Sequence, residues 1–212
     1  MASRASRFMS RKRIDSPFLD TQDVKAKELY FLQVLKTELI STGCVLAVPE
    51  PDYGDDLWVL PDGTDIPIRC QLKTAWSWRG KSQRSYVFNI NEHNVRKASI
   101  SYRYLYFFGM KHPEGPVGGF HVACLDGGFL DAALTSKRIR RIKRTKGAAS
   151  PSTNRIRFNI IEVPASEKQR KTRWLLETSK QRRIDITDHV STFRLLFTGQ
   201  SGNDLMDFVS IT

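Results

Sequence analysis

The sequence predicts an α/β protein built on a mixed β-sheet, and three observations carry that prediction. A helix-patterned stretch runs from Thr21 to Thr42. Within about 50 residues it gives way to short apolar segments separated by turn signals. A further run, Tyr104-Leu105-Tyr106-Phe107-Phe108, has the continuous apolar character of a strand covered on both faces.

In the helix, Leu29, Leu32, Leu35 and Leu39 recur at spacings of three and four. Thr21 or Asp23 is placed to cap its start, and Gly43 to stop it. Cys44–Val48 reads as a short strand ended by Pro49. Pro51–Asp56 is a turn, Leu57–Leu60 a strand, Pro61–Thr64 a tight turn and Ile66–Lys73 the next strand. Residues 76–85 are polar and basic and read as a loop. Ser85–Ile90, Leu105–Met110 and Phe120–Leu125 complete an α/β unit. Further on, Arg155–Val163 alternates like a strand, whereas Ser166–Glu177 and Asp188–Phe197 are expected to be helices. The chain thus divides into a basic arm (1–20), an α/β core (21–125) and a basic extension (126–212) for nucleic-acid binding or oligomerisation.

Composition narrows the function. The 212 residues are 40% hydrophobic and 26% charged, which suits a soluble globular domain with a real core. No apolar run reaches the ~18 residues of a membrane span. The formal net charge of +12 favours polyanionic partners over acidic or neutral ones. Cys44, Cys70 and Cys124 are far apart and odd in number. They form no zinc spacing or disulfide framework and are expected as buried thiols of a reducing cytoplasm. Met1–Arg13 lacks the apolar stretch of a secretory signal, and fits either a transit peptide or a nucleic-acid-binding arm.

The basic residues are clustered. Lys137, Arg138, Arg140, Arg141, Lys143, Arg144 and Lys146 are seven of ten consecutive residues, with no acid among them. If helical, Arg138, Arg141 and Arg144 share one side and suit phosphate contacts rather than base reading. Trp76 and Trp78, with Arg79, Lys81 and Arg84 behind them, interleave aromatic and basic side chains as a strand-stacking or groove-lining loop does.

The chemistry-bearing stretch is Asp52–Lys73. Alternation puts Gln71 and Lys73 on one face of a strand and Leu72 on the other. In a hairpin, the start of the first strand lies beside the end of the second, so Asp56 is expected to meet Gln71 and Lys73. A hard cation such as Mg2+ takes oxygen ligands, here the Asp56 carboxylate, the Gln71 amide and the Leu72 carbonyl. Such a site polarises a phosphodiester and activates water, while Lys73 orients that water or stabilises the developing charge. Asp52 and Asp55 compete with Asp56 as the ligand, and a helix acid, Glu28 or Glu38, is needed to complete the shell.

In this order of residues the chain resembles the PD-(D/E)xK nuclease superfamily in its Gln-x-Lys form. That form is similar to group I intron homing endonucleases of this fold and to related prokaryotic nuclease-like domains. Asp-Tyr-Gly-Asp-Asp (52–56), a strand, a Gly turn and Cys-Gln-Leu-Lys-Thr (70–74) carry the likeness, which covers residues 23–125. It implies a restriction-endonuclease-like core, a central mixed sheet flanked by helices, with Asp56, Gln71, Lys73 and Glu28 catalytic and Mg2+ (or Mn2+) as cofactor. The preference for Glu28 over Glu38 comes from the resemblance, because the family places this acid toward the start of its helix. Gln71 replaces the commoner acid, leaving one ligand neutral. The implied activity is hydrolysis of DNA phosphodiester bonds. Cutting both strands of double-stranded DNA takes two sites, hence a homodimer or tetramer. A prokaryotic or phage cytoplasm is expected, with nucleus and organelle left open. The alternatives are a non-catalytic nucleic-acid-binding protein and a nuclease acting on RNA or branched DNA.

Overall fold

The structure, a computed structural model, describes residues 24–49, 55–76, 78–79, 83–101, 103–111, 119–134, 141–142, 155–166, 170–179 and 182–193. Its elements run in order α1 (Val24–Ser41), β1 (Val45–Ala47), β2 (Leu57–Leu60), β3 (Ile68–Trp76), β4 (Trp78–Arg79), β5 (Arg84–Asn91), α2 (Glu92–Ser99), β6 (Tyr104–Lys111), β7 (Phe120–Asp126) and α3 (Gly127–Leu134). They continue with β8 (Arg141–Ile142), β9 (Arg155–Val163), β10 (Arg173–Ser179), β11 (Arg182–Asp185), a 3-10 turn at Thr187–His189 and β12 (Val190–Phe193).

The fold is mixed α/β with two sheets. The first has the order β1-β2-β3-β6-β7-β12, and the second β11-β10-β9-β5-β4, with β8 added to β9. In the first sheet β3 and β6 are parallel, from Arg69↔Tyr104 to Trp76↔Lys111, and the other pairs are antiparallel. A parallel pair needs a crossover. Here the chain leaves β3, contributes β4 and β5 to the second sheet, and returns through α2.

Two apolar clusters cover the faces of the first sheet. On one face, Phe31, Val34, Leu35 and Leu39 of α1 pack on Cys70, Leu72, Leu105, Phe107 and Val122. On the other, Tyr106, Phe108 and Leu125 meet Tyr86, Phe88, Ile156, Phe158 and Leu176 of the second sheet, closed by Val95 and Ala98 of α2 and Leu130 and Leu134 of α3. Covered on both sides, β6 is buried at every position, which is why its sequence is a continuous apolar run.

Helix α1 ends as its sequence requires. Gly43 has φ +89°, and the Gly43 and Cys44 amides donate to the Ile40 and Leu39 carbonyls, satisfying the last turn. Its buried stripe is Phe31, Val34, Leu35 and Leu39, so the expected leucine series holds at Leu35 and Leu39 and fails at Leu29 and Leu32. Leu29 is 58% exposed and Leu32 only partly covered. The two outlying leucines face the cleft described below.

Three further expectations are corrected. Residues 173–179 form β10 instead of a helix. Trp174, Leu176 and Thr178 point inward at period two, and pairing with β9 outweighs the helix-forming tendency of the Leu-Leu-Glu segment. The segment after Asp188 is a strand, β12, paired with β7, so the expected helix there is absent from 190–193; residues 194–197 lie outside the described ones. The stretch 76–85 is not simply a loop, since Trp76 ends β3 and Trp78–Arg79 pair with β5. Strand pairing also crosses the boundary expected at residue 125: β9 joins β5, and β12 joins β7. The basic arm 1–20 lies outside the described residues.

Gly109 of β6 lies directly under the Phe31 ring of α1. A Cβ there would sit 2.7 Å from the ring of Phe31, which is fully buried. Gly109→Ala is therefore expected to cost about 1–3 kcal/mol by overpacking. In a thermal melt this lowers Tm by a few degrees, because a domain of this size loses ~2–4 °C per kcal/mol.

Candidate functional site

β2 is shorter than β3. Its last pairing toward the site is Leu57↔Cys70, so Gln71, Leu72 and Lys73 continue along β3 paired with β6 on one edge and, among the described residues, with no strand on the β2 side. At this gap the Asp56 amide donates to the Cys70 carbonyl (2.9 Å), and the Asp56 Oδ2 accepts the Leu72 amide (2.7 Å). The carboxylate thus takes the place that the next residue of β2 would have filled. The amide and carbonyl of one strand residue emerge on the same edge. The Leu72 carbonyl therefore faces the same open edge as Asp56.

Helix α1 borders the gap on one side. Glu28 Oε1 lies 3.3 Å from Lys73 Nζ, an ion pair whose side chains are about a quarter (Lys73) and a third (Glu28) exposed. Between α1, the end of β1, the β3 edge and the first turn of α2 is a cleft of about 480 Å³, lined by Lys25, Glu28, Leu29, Leu32, Val48 and Pro49 and floored by Asp55, Asp56, Gln71 and Leu72, with Asn94 on its α2 wall. Gln71 is only 8% exposed, yet its amide has no hydrogen-bond partner among the described residues. The amide belongs to the lining of the cleft, open to whatever occupies it.

The two adjacent aspartates have different environments. Asp55 is buried, and its carboxylate accepts from Arg69 Nε (2.7 Å), Arg69 Nη2 (3.0 Å), Trp58 Nε1 (2.9 Å) and the Tyr104 hydroxyl (3.0 Å). Burial pushes its pKa up, but those hydrogen bonds and the Arg69 charge outweigh it and hold it below the ordinary carboxylate value. With its acceptor sites taken, Asp55 anchors β2 to β3 and β6. Asp56 is pushed the other way. Desolvation raises it, the Leu72 amide and Lys73 oppose that, and the charges of Glu28 and Asp55 raise it further. A desolvated carboxylate beside a second carboxylate is an arrangement that a cation stabilises.

Of the residues expected at the site, Asp56, Gln71, Leu72, Lys73 and Glu28 come together at the β3 edge. Asp52 lies outside the described residues. Glu38 is buried elsewhere on α1, its pKa raised by that burial, and does not line the cleft. Trp76 is a half-buried strand residue with the Lys27 ammonium 4.7 Å over its ring. Of Trp78 and Arg79 only the backbone is described, in β4, and Lys81 lies outside the described residues. Arg84 is held by Glu162 (2.8 Å), which also accepts from the Tyr86 hydroxyl. In the basic run, the backbone at Arg141–Ile142 is extended and paired with β9 instead of helical, while Lys137, Arg138, Arg140, Lys143 and Arg144 lie outside the described residues.

Sequence reading missed Lys25, Val48, Pro49 and Asn94 as lining residues. Asn94 was hidden because α2 was not foreseen. Its signals were Asn91, whose side chain accepts from the His93 amide, and the Val95/Ala98 spacing.

The fold and site define an α/β protein with a carboxylate-lined cleft at a sheet edge. Comparison with protein-family models, with curated proteins and with solved structures finds no match. Among the described residues no helix is long and apolar enough to cross a membrane.

Proposed function

We propose that the protein is a divalent-metal-dependent endonuclease acting on double-stranded DNA, of the PD-(D/E)xK kind in its Gln-x-Lys form, with a restriction-endonuclease-like core around β2, β3 and β6. The observation that carries this reading is the convergence on one open strand edge of Asp56, Gln71, Glu28 and Lys73, from three separate segments.

The residues fit Mg2+ or Mn2+. Asp56 and Glu28 offer carboxylates, and Gln71 and Leu72 offer an amide and a backbone oxygen, all hard donors. The raised Asp56 and the unengaged Gln71 amide are both groups that a cation would satisfy. Among the described residues no cluster of three or more His, Cys, Asp or Glu forms. Substrate phosphate and water would complete the shell, as is usual for Mg2+. When bound, the metal supplies polarisation of the phosphodiester and a water of lowered pKa.

The chain's own groups do the rest. Asp56 and Glu28 hold negative charge at the edge of β3, and Gln71 directs its amide into the cleft. Lys73 leaves its pairing with Glu28 to meet the charge that builds on the phosphate, or to orient the attacking water. Leu29, Leu32, Val48 and Pro49 form an apolar wall on one side of the cleft. Cleavage of both strands takes two such sites, so the reading implies a homodimer or tetramer.

Purified protein is expected to cut plasmid and linear duplex DNA with Mg2+ or Mn2+ and not with EDTA, and Asp56→Asn to abolish the cutting. Binding without cleavage of duplex, single-stranded, branched or RNA substrates would overturn the reading. It would favour a non-catalytic nucleic-acid-binding protein, a second reading supported by the commitment of Asp55 to Arg69, Trp58 and Tyr104, which leaves Asp56 and Glu28 as the other carboxylates of the cleft among the described residues.

A further inference from the structure

The outward face of the second sheet carries charge that the cleft does not use. Along β9, Arg155, Arg157 and Asn159 point outward while Ile156, Phe158 and Ile160 are buried. Arg155 and Arg157 are exposed, and neither makes an ion pair or hydrogen bond among the described residues. Their neighbours across β5 are Asn91 and Asn89, amides that repel no anion. Two other arginines of the same sheet differ: Arg173 is paired with Asp185 (2.7 Å), and Arg183 with Glu177 (2.9 Å), which also accepts from Asn159.

Two features tie the unpaired end to the cleft and to the rest of the positive charge. Asn91, beside Arg155, is the N-cap of α2, and Asn94 in the first turn of that helix lines the cleft. On the other edge of β9, β8 pairs at Arg141↔Ile156 and Ile142↔Arg155. The basic run of the sequence therefore enters the sheet beside these two arginines.

We propose that this end of the sheet, with Arg155 and Arg157 at its centre and Asn89 beside them, docks the sugar–phosphate backbone of a nucleic-acid duplex and leads it toward the cleft. The inference rests on the nuclease reading for its direction. Its charge complementarity stands independently. Residues two apart on a strand are ~6.8 Å apart, and phosphates follow one another every ~3.4 Å along each strand of the duplex axis. The two residues therefore span about two axial steps, and their guanidinia can engage two phosphates of one strand. These contacts set position and carry no sequence preference.

The test is fluorescence anisotropy with a labelled DNA duplex in EDTA, so that binding is read without cleavage, over a salt series from about 50 to 200 mM. The double variant Arg155→Gln/Arg157→Gln is expected to make the plot of log affinity against log salt shallower by about 1.8, or ~0.9 per lost phosphate contact. Arg155→Lys/Arg157→Lys is expected to keep the wild-type slope, and Arg173→Gln/Arg183→Gln to leave it unchanged. A glutamine variant with the wild-type slope and melting curve, or an equal loss in the Arg173/Arg183 control, would overturn the surface. So would binding to phosphatidylserine vesicles in place of duplex. Mg2+-dependent cleavage by the same proteins separates the two claims. Wild-type cutting with an unaltered slope in the glutamine variant removes the docking surface alone. A reduced slope with no cutting by the wild type removes the nuclease reading and leaves the surface standing.

Discussion

Lys73→Ala should leave a folded protein that binds duplex DNA and no longer cuts it at a useful rate. The ammonium lies at the open edge of β3, held 3.3 Å from Glu28. Removing one group that stabilises developing charge typically costs ~10²–10³ in kcat, and that loss is expected here with KM little changed. Folding should scarcely register the change, because a partly exposed ion pair contributes ~0–1 kcal/mol. Divalent-cation affinity gives a second readout. Alanine removes the competing cation from Glu28, so Mn2+ binding by calorimetry should hold or tighten. A fall in Tm of many degrees, or cleavage at the wild-type rate, would sink the assigned role.

Asp55→Ala should act in the opposite way, through folding. Four hydrogen bonds from Arg69, Trp58 and Tyr104 converge on this buried carboxylate. Its removal strands a partly buried guanidinium together with two polar groups. Breaking a buried pair by deleting one partner costs ~3–5 kcal/mol, which denaturant titration would read as a lower midpoint. The pH dependence has a definite sign. The folded-state pKa of Asp55 is depressed, so its contribution is present above the ordinary carboxylate pKa and lost as pH falls through the depressed value. The wild type should therefore lose stability on acidification below the ordinary carboxylate range, and Asp55→Ala should lose less over the same window. Equal acid sensitivity in the two proteins would show that Asp55 carries no such linkage.

The contrast between neighbouring aspartates marks where sequence reading stops. Asp55 and Asp56 are the same residue type in one turn. One is consumed by Arg69, fourteen residues away, and by Tyr104, forty-nine residues away. The other is left facing the cleft. No local pattern separates them, because the partners that decide are supplied by β3 and β6.

What the sequence determined by itself was local and periodic. The helix stop at Gly43, the turn at Pro61–Thr64, the strands β2, β3, β5, β6, β7 and β9, and the meeting of Asp56 with Gln71 and Lys73 all follow from short-range turn chemistry and from alternation along a hairpin. Glu28 was found only through family likeness, and its ion pair with Lys73 bridges elements forty-five residues apart. What the tertiary structure decided was non-local. It put α1 down on Phe31 and Val34, leaving Leu29 and Leu32 to wall the cleft. It drew 173–179 and 190–193 out of helix and into strands, since an open sheet edge supplies backbone partners that an isolated segment lacks. It also folded the chain beyond residue 126 into both sheets, where β9 pairs with β5 and β12 with β7, contacts between segments far apart in sequence.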